Sequence, residues 1–169
     1  MIPGIEEVLI KGLSPREQAE KLSLDKVNNV IKLLKGQSPP WILGADTLIS
    51  VDGEIFGKPI DQEHAKKMLL RLKNREHEVI TALSLYNGRK KITDTRSRTS
   101  KVRFCSFSDE EIEWYLNTGE WQGAAGAYRI QGLASCFISH IEGSYCSIVG
   151  LSIYDFYVML RDNGYAYGA

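Results

Sequence analysis

The sequence has no long apolar run, no excess of either charge and few cysteines. No stretch approaches the ~20 apolar residues that a membrane-spanning helix needs, so no membrane partner is expected. Twenty-one Lys and Arg residues balance 21 Asp and Glu residues. A broad nucleic-acid surface needs a basic excess to neutralise phosphates, so this balance argues against a nucleic-acid partner. One bound nucleotide needs only a few cations and is not excluded.

The three cysteines, Cys105, Cys136 and Cys146, are odd in number and lack CxxC spacing. They therefore indicate neither a disulfide framework nor a zinc site. No signal peptide is recognised before the first predicted helix. We expect reduced thiols and a cytoplasmic protein.

The hydrophobic content of 43% in 169 residues is enough for one domain with a substantial core, spanning residues 1–169. An apolar strand is predicted at Trp41–Val51, a helix from Asp61 to about Lys73, and further strands at Val79–Tyr86 and Arg89–Phe104. Because helices and strands interleave, the fold class is α/β. We expect a single domain with a central mixed, twisted sheet flanked by helices.

Other boundaries follow from capping and turn residues. Ser14 with Glu17, and Ser108 with Glu111, have the spacing of capping boxes that open helices. Asn87-Gly88 predicts a type I′ turn between two strands. A strand is predicted at Cys136–Ile141 and a last helix at Ile153–Arg161.

The segment Trp41–Pro59 carries the strongest chemical signal. Asp46 interrupts an apolar strand, Asp52-Gly53 forms a strong turn dipeptide, and Lys58 follows. A carboxylate can hold a divalent cation, and an ammonium group with backbone N–H groups can hold phosphate. The pattern therefore suits a phosphate-and-metal site. The alternative is that Asp46 is a strand-end or capping residue and Lys58 a solvated lysine.

The loop Gly123–Gly132, GAAGAYRIQG, is rich in small residues that let the backbone approach a ligand. Gln131 in this loop offers both a donor and an acceptor to the edge of a pyrimidine base. The alternative is a tight structural loop with Gln131 pointing to solvent. His77, at the start of a strand, is equally consistent with a base and with a structural residue.

Three sequence blocks follow one another along the chain: GADTLISVDGEIFGKP, AGAYRIQG and IEGSYCSIVGL. In sequence and spacing they resemble the Maf (septum-formation) family of nucleoside triphosphate pyrophosphatases, from about Pro3 to Leu160. The resemblance implies a Maf/ITPase-like fold. It also implies hydrolysis of dTTP, UTP or modified pyrimidine nucleotides to the monophosphate and pyrophosphate.

The resemblance also implies roles for individual residues. Asp46 corresponds to the proton acceptor and would also bind the metal, Mg²⁺ or Mn²⁺. Glu7, in a segment that resembles the acidic GIDE motif, would be a second catalytic and metal-binding acid. Lys58 would neutralise phosphate charge, and Thr47 and Gln131 correspond to specificity positions. A homodimer is implied on the same basis.

The chain departs from the family at two important places. No counterpart of the opening strand and SxSPRR phosphate-binding loop is recognised before Pro3, so the domain is expected to be truncated at its N terminus relative to the family. Gly123-Ala124 stands where the family usually has Asp-Lys. Smaller departures are Cys105 in place of a common arginine and Ser152 in place of proline. The absent SxSPRR loop and the missing Asp-Lys pair favour an alternative function, an inactive nucleotide-binding or cell-division regulatory protein.

Overall fold

The computed structural model describes residues 9–37 and 39–167, and the expected acidic segment around Glu7 lies outside them. Ten helices and strands are found in these residues. Two 3-10 turns, Ala125–Ala127 and Leu133–Phe137, accompany them. In chain order the helices and strands are α1 (Pro15–Leu33), β1 (Trp41–Val51), β2 (Glu54–Phe56), α2 (Gln62–Leu72), β3 (Glu76–Asn87), β4 (Ile92–Phe104), α3 (Asp109–Asn117), β5 (Ile138–Glu142), α4 (Tyr145–Val149) and α5 (Ile153–Asp162).

The five described strands form one sheet in the order β2-β1-β3-β4-β5, which confirms the α/β class with a central sheet flanked by helices. Every described pair is antiparallel, whereas a mixed sheet was expected. Short hairpins join β1 to β2 and β3 to β4, and these two pairs are antiparallel because each hairpin reverses the chain. The Asp52-Gly53 turn is confirmed, with φ of 52° and 81° at its two residues.

Both predicted capping boxes are confirmed. The Ser14 side chain accepts from the Glu17 backbone and the Glu17 side chain accepts from the Ser14 backbone, which fixes the start of α1. Ser108 and Glu111 do the same for α3. The Asp61 side chain accepts from the His64 backbone N–H and opens α2 as expected.

Two local predictions were wrong. The β3–β4 connection is a longer loop, residues 88–91, in which Lys91 rather than Gly88 adopts the left-handed conformation, at φ 55°. The Asn87 side chain accepts from the backbone N–H groups of Arg89 and Lys90 and stabilises this wider loop. Cys136 lies in the 3-10 turn before β5 rather than in the strand.

Helix α1 packs on one face of the sheet. Its buried residues recur at helical spacing and meet apolar side chains of β1 and β3, forming the cluster Ala19, Leu22, Leu48, Ile80 and Ala82. Gly44 permits this close approach. A Cβ atom at Gly44 would lie 2.5 Å from the backbone oxygen of Ser23 and 2.8 Å from a methyl group of Val27.

The opposite face of the sheet is covered in two parts. Around Ile49 and Val79, α2, α3 and the loops after α3 form the larger core cluster. Around Leu83 and Leu85, α5 contributes Met159 to a separate cluster. No described helix has the length and apolar content needed to cross a membrane.

Candidate active site

A cleft of about 270 Å³ lies beside β1. Strand β2 pairs only with Ile49–Val51, at the end of β1, so among residues 9–37 and 39–167 no strand pairs with β1 on this side before Ile49. The cleft opens next to this part of β1. Strand β1, α1, the loop Gly123–Gly132 and the end of α4 contribute its walls. The polar residues that line it are Lys26, Asp46, Thr47, Lys58, Arg129 and Gln131.

An ion pair links α1 to β1 inside the cleft. The Nζ atom of Lys26 lies 2.5 Å from Oδ1 of Asp46 and 3.3 Å from the backbone oxygen of Ala45. The Asp46 side chain is 5% exposed and that of Lys26 is 22% exposed. The ammonium group therefore compensates the charge of a buried carboxylate, which would otherwise be costly to remove from water.

Lys58 also lines the cleft and lies on the segment after β2. Its side chain is exposed and also borders an adjacent groove between β2 and α2. The backbone N–H of Gly126 donates to the backbone oxygen of Gly57 over 3.0 Å. This bond joins the Lys58 segment to the glycine-rich loop, so both walls of the cleft are held together.

The loop Gly123–Gly132 is folded around the side chain of one of its own residues, Arg129. The Arg129 guanidinium donates to the backbone oxygens of Glu120 and Gln122. Gly126 has φ 63°, and a Cβ atom there would lie 2.6 Å from Ile49. Small size at this position is therefore required for the loop to lie against β1.

Tyr128 connects the loop to a buried histidine. Its hydroxyl lies 2.7 Å from Nε2 of His77, which is 2% exposed. Burial lowers the pKa of His77 to about 4, partly offset by the nearby Glu76 carboxylate, so the imidazole is neutral at pH 7. This environment agrees with the interpretation of His77 as a structural residue rather than a base. Its ring lies in the core against Phe104 and Tyr128.

Thr47, on β1, and Gln131, on the glycine-rich loop, line the same cleft. The Thr47 hydroxyl lies 2.9 Å from that of Thr81 on β3, and Gln131 is exposed. The structure therefore brings together Asp46, Thr47, Lys58 and Gln131. It does not place Glu7, which lies outside the described residues.

The described residues supply few metal ligands. No group of three or more His, Cys, Asp or Glu side chains in residues 9–37 and 39–167 is arranged to hold a metal ion. Within that part of the chain, Asp46 is the one carboxylate that lines the cleft. Mg²⁺ is commonly bound by one or two carboxylates together with substrate phosphates, so this donor set fits a metal shared with a phosphate ligand.

Sequence reasoning underestimated Lys26 and Arg129. Lys26 precedes Val27 in the apolar stripe of α1, and helical periodicity alone cannot distinguish it from a solvated lysine. The close approach at Gly44 brings it to Asp46. Arg129 falls in the loop block, but its contacts with the Glu120 and Gln122 carbonyls depend on the folded loop.

The fold and the cleft define a class, an α/β protein with a buried carboxylate, several cations and a glycine-rich loop around a small-molecule cleft. The chain belongs to the Maf-like protein family, whose family model matches residues 1–163. It is 40% identical over 164 residues to the dTTP/UTP pyrophosphatase of Symbiobacterium thermophilum, covering 97% of this chain and 82% of that protein.

Two further relatives carry the same name. The dTTP/UTP pyrophosphatase of Shewanella sp. (strain MR-7) is 38% identical over 162 residues, covering 96% of this chain and 82% of that protein. That of Ruminiclostridium cellulolyticum is 42% identical over 156 residues, covering 90% and 79% of the two chains. The predicted family resemblance is thereby confirmed.

Proposed function

We propose that this chain is a nucleoside triphosphate pyrophosphatase that hydrolyses dTTP and UTP to the monophosphate and pyrophosphate. Membership of the Maf-like family and similarity to relatives named dTTP/UTP pyrophosphatase support this function. The structural observation that carries it is the Asp46–Lys26 pair in the same cleft as Lys58, Thr47 and Gln131.

In this proposal Asp46 accepts the proton of the water that attacks phosphorus. Its position at the cleft wall and its burial suit a base that is shielded from bulk solvent. Lys26 holds the carboxylate in place through their short contact. A divalent cation, Mg²⁺ or Mn²⁺, would be held by Asp46, with Glu7 as a second proposed ligand, and would neutralise charge on the phosphates.

Lys58 binds a phosphate group of the substrate, because it is an exposed cationic residue that lines the same cleft as Asp46. Arg129 adds positive charge on the loop side. Thr47 and Gln131 bind the base. Catalysis of phosphoryl transfer depends mainly on such positioning and charge neutralisation. A cytoplasmic location stays a prediction from the cysteine pattern, and a homodimer stays a prediction from the family resemblance.

A second candidate is a nucleotide-binding or cell-division regulatory protein without turnover. The observation in its favour is the loop start, where Gly123 and Ala124 line the cleft with no charged side chain. Family members usually have an Asp-Lys pair there. Loss of both groups would weaken the hold on the triphosphate, while the base-binding residues would remain.

The two functions are separated by identifying the products. The protein is incubated with dTTP, UTP, CTP and GTP, with Mg²⁺ or Mn²⁺ and with EDTA, and the products are resolved by ³¹P NMR. Metal-dependent formation of pyrophosphate and monophosphate, faster from dTTP and UTP, supports the enzyme. Binding of the nucleotides without any product, by a protein shown to be folded, supports the regulatory candidate.

A further inference from the structure

The Thr47–Thr81 contact has a fixed direction. A threonine hydroxyl carries one hydrogen and two acceptor lone pairs, whereas a backbone carbonyl oxygen can only accept. The Thr81 hydroxyl lies 2.6 Å from the backbone oxygen of Ser147 and must donate its hydrogen there. In the 2.9 Å contact between the two hydroxyls, Thr81 therefore accepts and Thr47 donates.

Burial maintains this arrangement. Thr81 is 1% exposed and Ser147 is fully buried, so water does not compete for the carbonyl. The Ser147 oxygen also accepts from the backbone N–H of Gly150 over 2.9 Å. Because a 2.6 Å contact between two oxygen atoms is favourable only with a hydrogen between them, the Thr81 hydroxyl keeps its hydrogen on this bond. The chain of hydroxyls runs from β1 through β3 to the backbone of α4. Its direction is set at the α4 end, away from the cleft.

We infer that Thr81 is a positioning residue that makes the Thr47 oxygen an acceptor toward the cleft, so that the cleft selects pyrimidine bases that carry a hydrogen on N3. This inference rests on the proposed function and deepens it. Because the hydrogen of Thr47 is directed to Thr81, only lone pairs of Thr47 are available to a ligand. Uracil and thymine carry an N3–H donor on their pairing edge, whereas N3 of cytosine is an acceptor.

The pairing of two acceptors disfavours cytosine at this position. Thr47 would face N3 of cytosine with lone pairs on both sides, and a buried polar group without a partner costs binding free energy. Gln131, on the glycine-rich loop, can match either base because its amide has both a donor and an acceptor. Thr47 therefore discriminates between uracil and cytosine, and Thr81 determines that uracil is the preferred base.

The test measures binding of nucleoside monophosphates, which needs no turnover. Affinities of UMP, CMP and 3-methyluridine monophosphate are determined by calorimetry for the wild type and for Thr81→Val, Thr81→Ser and Thr95→Val. Valine keeps the shape of Thr81 but removes its hydroxyl, and serine restores the hydroxyl. Thr95→Val is the matched control. The Thr95 hydroxyl contacts Ser84 over 2.9 Å, a hydroxyl pair on neighbouring strands that does not line the cleft.

For the wild type we expect UMP to bind about tenfold more tightly than CMP or 3-methyluridine monophosphate, the size of one neutral hydrogen bond. Thr81→Val should reduce the UMP-to-CMP affinity ratio toward one, because the Thr47 hydroxyl is then able to donate to N3 of cytosine. Thr81→Ser and Thr95→Val should keep this ratio. Equal binding of UMP and 3-methyluridine monophosphate by the wild type would overturn the inference. So would an unchanged ratio in Thr81→Val, or no binding of any of the three.

Failure of the inference is distinguishable from failure of the proposed function. Hydrolysis of dTTP without preference for UMP over CMP would overturn the role of Thr81 and leave the pyrophosphatase intact. A clear preference for UMP with no hydrolysis of any triphosphate would support Thr81 and contradict the pyrophosphatase. If Thr81→Val does not fold, the 3-methyl probe on the wild type and the Thr81→Ser variant still decide.

Discussion

Lys26 on α1 lies with its Nζ atom 2.5 Å from Oδ1 of Asp46 on β1, and this pair joins a helix to the strand that borders the cleft. The two residues are 20 positions apart in sequence. Their contact depends on the packing of α1 against Gly44, where a Cβ atom would collide with the backbone of the helix. The position of the proposed catalytic carboxylate, that of Asp46, therefore depends on how α1 packs against β1.

Replacing Lys26 with Met should reduce the free energy of unfolding by about 2 kcal/mol, because it removes an ammonium group from a buried carboxylate. Asp46→Asn in the same background should recover part of this loss, since no carboxylate charge then remains to be compensated. A double-mutant cycle by urea unfolding measures the coupling. Strict additivity of the two substitutions would show that the contact contributes nothing to stability.

Gly44→Ala should destabilise the fold by about 1–3 kcal/mol, the usual cost of overpacking. The new methyl group would meet the backbone oxygen of Ser23, which cannot rotate away, so α1 must shift and carry Lys26 from Asp46. Activity should fall together with stability. Gly57→Ala is the control, because its Cβ meets no atom within 4 Å. Equal thermal stability of the two variants would contradict this account of α1.

Stability should fall between pH 7 and pH 5 through His77. Its pKa is about 4 in the folded protein and 6.5 in the unfolded chain, so the unfolded state takes up a proton first as the pH falls. The loss amounts to about 2 kcal/mol over this range. The contribution is complete above pH 6.5 and is lost as the pH falls toward 4.

The measurement compares urea unfolding of the wild type and the double variant His77→Phe/Tyr128→Phe at both pH values. The double variant removes both members of the 2.7 Å hydrogen bond, so neither is left buried alone. Its stability should change less with pH than that of the wild type. If the free energy of unfolding changes equally with pH in both proteins, protonation of His77 is not the cause of the acid sensitivity.

Lys58→Gln should raise KM for dTTP about tenfold or more with a smaller change in kcat, because charge-assisted contacts to phosphate are lost. The dependence of KM on salt should also weaken, since one screened attraction is gone. Lys67→Gln is the matched control, since Lys67 borders the adjacent groove but not the cleft. A similar KM for both variants would show that Lys58 does not bind the phosphates of the substrate.

Local sequence signals predicted most of the element boundaries. Ser14 with Glu17 and Ser108 with Glu111 form their capping boxes, and Asp52-Gly53 forms its turn, because a few neighbouring residues determine these structures. The predicted type I′ turn at Asn87-Gly88 was wrong, and the cause is again a local interaction. The Asn87 side chain bonds two following N–H groups and stabilises a longer loop than Asn-Gly alone indicates.

The candidate site was predictable only in part. Asp46, Lys58 and Gln131 lie in recognisable blocks, and the fold brings them to one cleft. The partners that fix their geometry come from distant segments, such as Lys26 for Asp46 and Thr81 for Thr47. Such pairs follow from strand register and helix packing, which sequence periodicity does not specify.

The most direct measurement is pyrophosphate release from dTTP with Mg²⁺ by the wild type, Asp46→Asn and the control Asp52→Asn. Asp52 forms an exposed ion pair with Arg75 away from the cleft. We expect release by the wild type and Asp52→Asn, and at least a hundredfold slower release by Asp46→Asn, because a general base is lost. Wild-type rates in a folded Asp46→Asn protein would contradict it.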